Sequence, residues 1–151
     1  MTLFVDADSC PRAARRLVIR AAERTQTKAV FAANRPIPDV PDGALFCMAV
    51  CPQSQDAADD YITRMARAGD LAVTRDVPLA ERLVQKSVAV LDDRGRLFNA
   101  DNIRALLSIR NFTVSLAENG VQNIRHSNYG NKELKAFADA FDKQLARLKG
   151  E

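Results

Sequence analysis

Four aspartates stand where a folded sheet could gather them. Asp6 and Asp8 lie in Val5-Asp6-Ala7-Asp8, Asp59 in Asp56-Ala57-Ala58-Asp59, and Asp76 in Thr74-Arg75-Asp76. Leu3-Phe4-Val5 is a short apolar run that breaks off at Asp6. Acids two apart at a strand end share a face and can both meet the crevice there. Carboxylates that converge without a basic partner repel one another. A hard divalent cation removes that cost, and Mg²⁺ or Mn²⁺ takes carboxylate oxygens and water as ligands. An ion held this way activates water and stabilises charge developing at a phosphorus centre. Four carboxylates leave room for two such ions. Thr74 is placed to orient a carboxylate or a phosphate oxygen.

The acids do not carry equal weight. An aspartate straight after a buried strand is costly unless it has a task, which puts Asp6 first. Asp8 or Ser9 could instead cap the helix that follows. Asp56, Asp59 and Asp60 fall in a first helical turn, where acids favour the helix dipole. That explanation suffices for Asp56 and Asp60. Asp70, after Gly69, reads as a cap on a turn.

The elements that must position these residues alternate. A strand at residues 3–5 comes first, and its apolar run marks it as central. A helix follows with Pro11 in its first turn, and Ala14, Leu17, Val18, Ala21 and Ala22 recur at helical spacing to about Thr25. Strands are expected at 28–33, 44–50, 70–74 and 87–91. Helices are expected from about 56 to 68 and after Val77-Pro78. Asp92-Asp93-Arg94-Gly95 is a turn signal, with Arg96-Leu97-Phe98 as a short returning arm. From about residue 101 the chain reads as helical: 101–108, a separate piece at 111–118, and a long amphipathic helix at 131–148. Strand–helix alternation implies βαβ units, a three-layer α/β/α arrangement and a mostly parallel sheet of about five strands. Such sheets bind ligands outside the carboxyl ends of their strands. Asp6, Asp8 and Asp76 all fall at that edge.

The 151 residues suit one domain. No apolar stretch is long enough to cross a membrane, and the start has no basic segment leading into an apolar run. Cys10, Cys47 and Cys51 are odd in number and lack paired CxxC spacing, which argues against a disulfide scaffold or a zinc site and for a cytoplasmic home. Cys47 and Cys51 read as core residues. The net charge of +3 is unevenly spread. Residues 1–93 hold 12 Lys/Arg against 13 Asp/Glu, and residues 94–151 hold 10 against 6. An acidic site beside a basic surface suits a phosphate-rich substrate.

Val5-Asp6-Ala7-Asp8-Ser9-Cys10-Pro11, Asp56-Ala57-Ala58-Asp59 and the run from Gly69 to Ala80, taken in order, resemble the bacterial YaiI/YqxD family. Arg94-Gly95, Asn102-Ile103 and Arg110-Asn111-Phe112 extend the likeness over about the first four-fifths of the chain. Past Gly120 the family tends to show Gly-Gly-Pro, whereas this chain reads Gln122-Asn123-Ile124-Arg125-His126-Ser127-Asn128. The family in turn resembles the PIN-like nucleases. Those are α/β domains with acids after the first strand, on a middle helix and in a Thr-x-Asp segment. Asp6, Asp59 and Thr74-Arg75-Asp76 fit those places. The resemblance implies Mg²⁺- or Mn²⁺-dependent phosphodiester hydrolysis, with RNA as substrate. The alternative is a nucleic-acid-binding domain with a vestigial site, since a fold can persist without its activity. A rival resemblance is to haloacid-dehalogenase-type phosphatases, with Asp6 as nucleophile and Asp8 as general acid. Cys10 stands where that motif expects Thr or Val, the Gly69-Asp70…Asp76 spacing is long, and Lys28 is the only lysine available between the motifs.

Arg12, Arg15 and Arg16 at the first helix start, together with Arg75, Arg94 and Arg110, are the candidates for gripping a substrate backbone. Any one arginine on a helix face is more simply solvated. Phe98, Phe112 and Tyr129 could stack on bases, though core packing is expected for the two phenylalanines. His126, the only histidine, lies in a polar stretch with no acid beside it in sequence.

Overall fold

A computed structural model describes residues 1–54, 56–118 and 128–150. Its elements are β1 (Thr2–Asp6), α1 (Arg12–Thr25), β2 (Lys28–Ala33), β3 (Phe46–Val50), α2 (Ala57–Met65), β4 (Leu71–Val73), α3 (Val77–Gln85), β5 (Ala89–Leu91), β6 (Leu97–Phe98), α4 (Ile103–Glu118) and α5 (Asn131–Leu148). The strands form one sheet in the order β3-β2-β1-β4-β5-β6. The first five are parallel, and β6 returns antiparallel on β5, with Leu91 opposite Leu97. The parallel run buries both faces, so the strands read as apolar throughout rather than alternating.

Strand parity divides the core into two layers. Leu3, Val5, Phe31, Leu71, Val73 and Leu91 point to one face and pack with α1 and α5, whose Phe137 and Phe141 are fully buried. Phe4, Val30, Ala72 and Val90 point to the other, against Ile62 of α2 and Leu79 and Leu83 of α3. This is the expected three-layer α/β arrangement, with β1 central.

Several expected boundaries move. β3 begins at Phe46 and is an edge strand, half-buried, with Val50 exposed. Cys51 is buried behind it, but Cys47 is only half-buried, because an edge strand lacks a neighbour on one side. α2 stops at Met65, since Ala66 is extended. Pro11, not Ser9, occupies the cap position of α1, which has no side-chain cap. Ser9 donates instead to Asp6. The two pieces expected at 101–108 and 111–118 are a single helix, α4, because neither glycine nor proline interrupts it. Only Ile103 of α4 is buried. Phe112, expected in the core, is 65% exposed, because α4 joins the body through its first turns against α3 and the rest projects.

Two small devices hold the frame. Asp70 accepts from the backbone N–H of Arg67 and of Thr2, tying the entry of β4 to the start of β1. It caps a turn, as expected. Gly95 sits at φ +87°, where a Cβ would lie 2.5 Å from the Ala136 carbonyl oxygen, so α5 packs directly on the β5–β6 turn.

Candidate functional site

In this strand order the chain winds one way from β1 to β2 and β3, and the other way to β4 and β5. The switch point therefore lies between the carboxyl ends of β1 and β4, where doubly wound sheets open a crevice. Asp6 ends β1 there, and Thr74 follows β4. The Thr74 hydroxyl donates to Asp6 Oδ2 at 2.8 Å and accepts the Asp76 N–H at 3.0 Å. One side chain thus fixes an acid on each flank of the crevice. Asp76 also caps α3, its Oδ1 accepting the Leu79 N–H at 3.0 Å.

Asp59 comes from the first turn of α2 and reaches Asp76. Burial first, then the charges of Asp76 and Asp6 and a hydrogen bond with Asp76, push its carboxyl up to about 7. Burial likewise raises Asp6 above the ordinary carboxylate range. Hydrogen bonds from Thr74 and Ser9 oppose the rise, and the charges of Asp76 and Asp8 add to it. Asp8 stands at the exposed rim, its Oδ2 accepting the Asn34 N–H at 2.9 Å. These groups line a cleft of about 380 Å³ with Ser9, Asn34, Asp56 and Arg75.

All four expected acids, Asp6, Asp8, Asp59 and Asp76, meet in that one cleft. Asp56 lines it too, in a left-handed conformation at φ 66° and without a side-chain cap. Asp60 turns away to pair with Arg82 at 2.9 Å. Thr74 orients carboxylates, one of its two expected tasks.

The expected arginines separate. Arg75 lines the cleft, but its Nε donates to the buried Asp93 carboxylate at 2.8 Å, and the same carboxylate takes Nη2. Arg94 lies in the β5–β6 turn, its N–H donating to Asp92 Oδ1. Arg110 is exposed on α4 and is not among the residues lining the cleft. Tyr129 donates to the Asp93 carbonyl at 2.7 Å, a structural contact behind Arg75. His126 lies outside the described residues. Lys28 pairs with Thr2 at the opposite end of β1 from Asp6, a strand's length from the acids.

Two residues escaped the sequence reading. Asn34 joins the cleft because β2 ends beside β1, and its Oδ1 is buried without a hydrogen-bond partner. Asp93 anchors Arg75. It had been read only as part of a turn, and nothing local in Asp92-Asp93-Arg94-Gly95 distinguishes the two acids.

Hard cations suit this donor set. The polar lining is carboxylate, hydroxyl and amide, the one arginine in it is already paired, and Asp59 is close enough to Asp76 and Asp6 for their charges to raise its proton affinity. Asp6, Asp59, Asp76 and Asp8 are the residues that would hold Mg²⁺ or Mn²⁺. Among the described residues, no three His, Cys, Asp or Glu side chains are gathered into a closed metal-ligating group.

Fold and cleft together define an α/β protein of the doubly wound type, with an acidic crevice at its switch point. The chain belongs to the family described as "Uncharacterized BCR, YaiI/YqxD family", whose model matches residues 4–147. The likeness therefore runs through the segment after Gly120, further than the first four-fifths. A "UPF0178 protein" of Treponema denticola is 46% identical over 147 residues, covering 97% of this chain and 93% of the relative. One from Treponema pallidum is 45% identical, covering 98% and 83%. One from Pseudomonas aeruginosa is 40% identical, covering 100% and 94%. No solved structure matches. No helix among the described residues is long and apolar enough to cross a membrane.

Proposed function

We propose that this protein is a metal-dependent nuclease of the PIN-like type, cleaving phosphodiester bonds in RNA in the cytoplasm. The observation that carries the reading is the Asp6–Thr74–Asp76 bridge across the switch point, with Asp59 in reach of Asp76. Three segments far apart in sequence supply acids to one crevice, in the order that the resemblance implies. Mg²⁺ or Mn²⁺ bound there would supply a polarised water and a counter-charge for the phosphoryl oxygens. The chain's own groups do the rest. Thr74 and Ser9 both donate to Asp6 Oδ2, which fixes the carboxylate in the cleft wall and leaves its second oxygen to a ligand. The Leu79 N–H holds Asp76 in the same way. Asp59, whose carboxyl is pushed up by burial and by the charges of Asp76 and Asp6, would lose that repulsion once a cation is held and would then serve as a carboxylate ligand. Asp93 holds Arg75 at the cleft wall, where it would meet the charge of a bound phosphate.

The test is incubation of labelled single-stranded RNA with the pure protein and Mn²⁺. Cleavage is expected from wild type and should be lost with Asp6→Asn and with chelator. Equal cleavage by Asp6→Asn, or none over a broad panel of RNA sequences, would overturn the reading.

A further inference from the structure

Two more cavities continue the acidic cleft along the start of α1 and the β2–β3 connection. One, of about 310 Å³, shares Asp8 with the cleft and is walled by Arg15, Arg35 and the Pro36-Ile37-Pro38 run. The next, of about 400 Å³, shares Arg15 and Pro38 with it and adds Arg12 and Asp39. Across Asp8, therefore, the lining changes from acidic to basic in neighbouring cavities that share wall residues.

The arginines of this groove are not equivalent. Arg15 is fixed: it donates to Asp39 through Nε and Nη2 at 3.3 and 3.1 Å, and to the Cys10 carbonyl at 2.6 Å. Its side chain is only 14% exposed, so it forms the groove floor and its charge is answered by Asp39. Arg12 and Arg35 are exposed, and neither makes an ion pair or a side-chain hydrogen bond among the described residues, although the Arg12 charge acts on Asp39 from a distance. Arg12 opens α1, whose first turn has no acid. A cation there opposes the helix dipole, a local cost that a bound anion would offset.

We infer that Arg12 and Arg35 form a binding track for the phosphodiester backbone of a single-stranded nucleic acid, leading out of the acidic cleft over Asp8. This deepens the nuclease reading and rests on it. One phosphate lies at the acids, and those beside it lie on the arginines. Each cavity is at the small end of ligand pockets, a scale that suits one nucleotide at a time. None of the residues lining the two basic cavities is aromatic. The track reads charge and not base, so its binding is salt-sensitive and tolerant of sequence. Arg12 was already among the arginines singled out in the sequence. Arg35, in the loop after β2, was passed over.

The experiment is fluorescence anisotropy with a labelled single-stranded RNA in Mg²⁺, on an Asp6→Asn background that stops turnover. The double variant Arg12→Gln/Arg35→Gln is compared with Arg20→Gln/Arg67→Gln, which removes the same charge from exposed sites outside the groove. The groove variant is expected to bind about tenfold more weakly and to lower the slope of log K against log salt by roughly 1.4, two phosphate contacts' worth. The control should shift binding less than about twofold, and oligo(U) and oligo(A) should behave alike. Equal losses in both double variants, no loss in the groove variant, or no RNA binding by the Asp6→Asn parent would each overturn the track. Cleavage by otherwise wild-type protein carrying Arg12→Gln/Arg35→Gln separates the two ideas. Unchanged cleavage and binding sink the track alone, whereas track-dependent binding without cleavage by wild type sinks the nuclease reading.

Discussion

Thr74 shows how much of the site hangs on one hydroxyl. It donates to Asp6 and accepts from the Asp76 backbone, so removing it leaves Asp6 held by Ser9 alone and the Asp76 N–H without its acceptor. Thr74→Val should cost about 1–3 kcal/mol of stability. It should also weaken Mn²⁺ binding by roughly tenfold in calorimetry, while Thr74→Ser keeps both near wild type. A Val variant with unchanged Mn²⁺ affinity would show that Asp6 needs no such anchor. Asp59 allows a pH test on metal-free protein. Its folded carboxyl is pushed up to about 7, against 3.8 for the unconstrained group, first by burial and then by Asp76 and Asp6. Folded protein therefore keeps this proton over a window in which the unfolded chain has released it. The stability it contributes is full below pH 3.8 and is lost as pH rises through about 7. Melting of wild type and Asp59→Asn at a series of pH values reads this directly. The variant's advantage should grow from about pH 5 to about pH 8, and a constant difference would refute the shift.

At the scale of elements, the β5–β6 turn and α5 depend on each other. Gly95 has a positive φ, and a Cβ there would run into the backbone of Ala136, which a helix cannot yield without shifting as a body. Gly95→Ala should destabilise by about 2–3 kcal/mol in chemical denaturation. The same turn carries Asp93 and so positions Arg75, so the variant should also impair the cleft. At the other end of the sheet, Asp70 joins the start of β1 to the entry of β4 by two backbone hydrogen bonds. Asp70→Ala should cost about 1–3 kcal/mol yet leave Mn²⁺ affinity unchanged, because it lies at the edge opposite the acids. A loss of metal affinity in that variant would mean that the two strand ends are coupled.

For the whole molecule, a cation bound only by the folded state must raise its stability. At a hundredfold excess over Kd the gain is about 2.7 kcal/mol, which in a chain of this size is a rise of several degrees in Tm. Mn²⁺ should produce it, chelator should reverse it, and Asp6→Asn should abolish it. An identical Tm with Mn²⁺ and with chelator would argue against any resident ion.

The apolar run of β1, the alternation of strands and helices, and the acids after strands were all legible in the chain itself. The period of an apolar pattern and the break at its end are local properties, written residue by residue. They were enough to place β1 at the centre, to expect a parallel three-layer fold and to choose Asp6, Asp8, Asp59 and Asp76. What the tertiary structure alone decided is who meets whom. Strand order puts Thr74 against Asp6 across 68 positions, and it brings Asn34 and Arg35 beside Asp8. It binds Arg75 to Asp93 and leaves Arg110 and Phe112 exposed on a projecting helix. An arginine paired to a buried acid and one free in a groove look alike in sequence, because pairing depends on distances that only the folded chain sets.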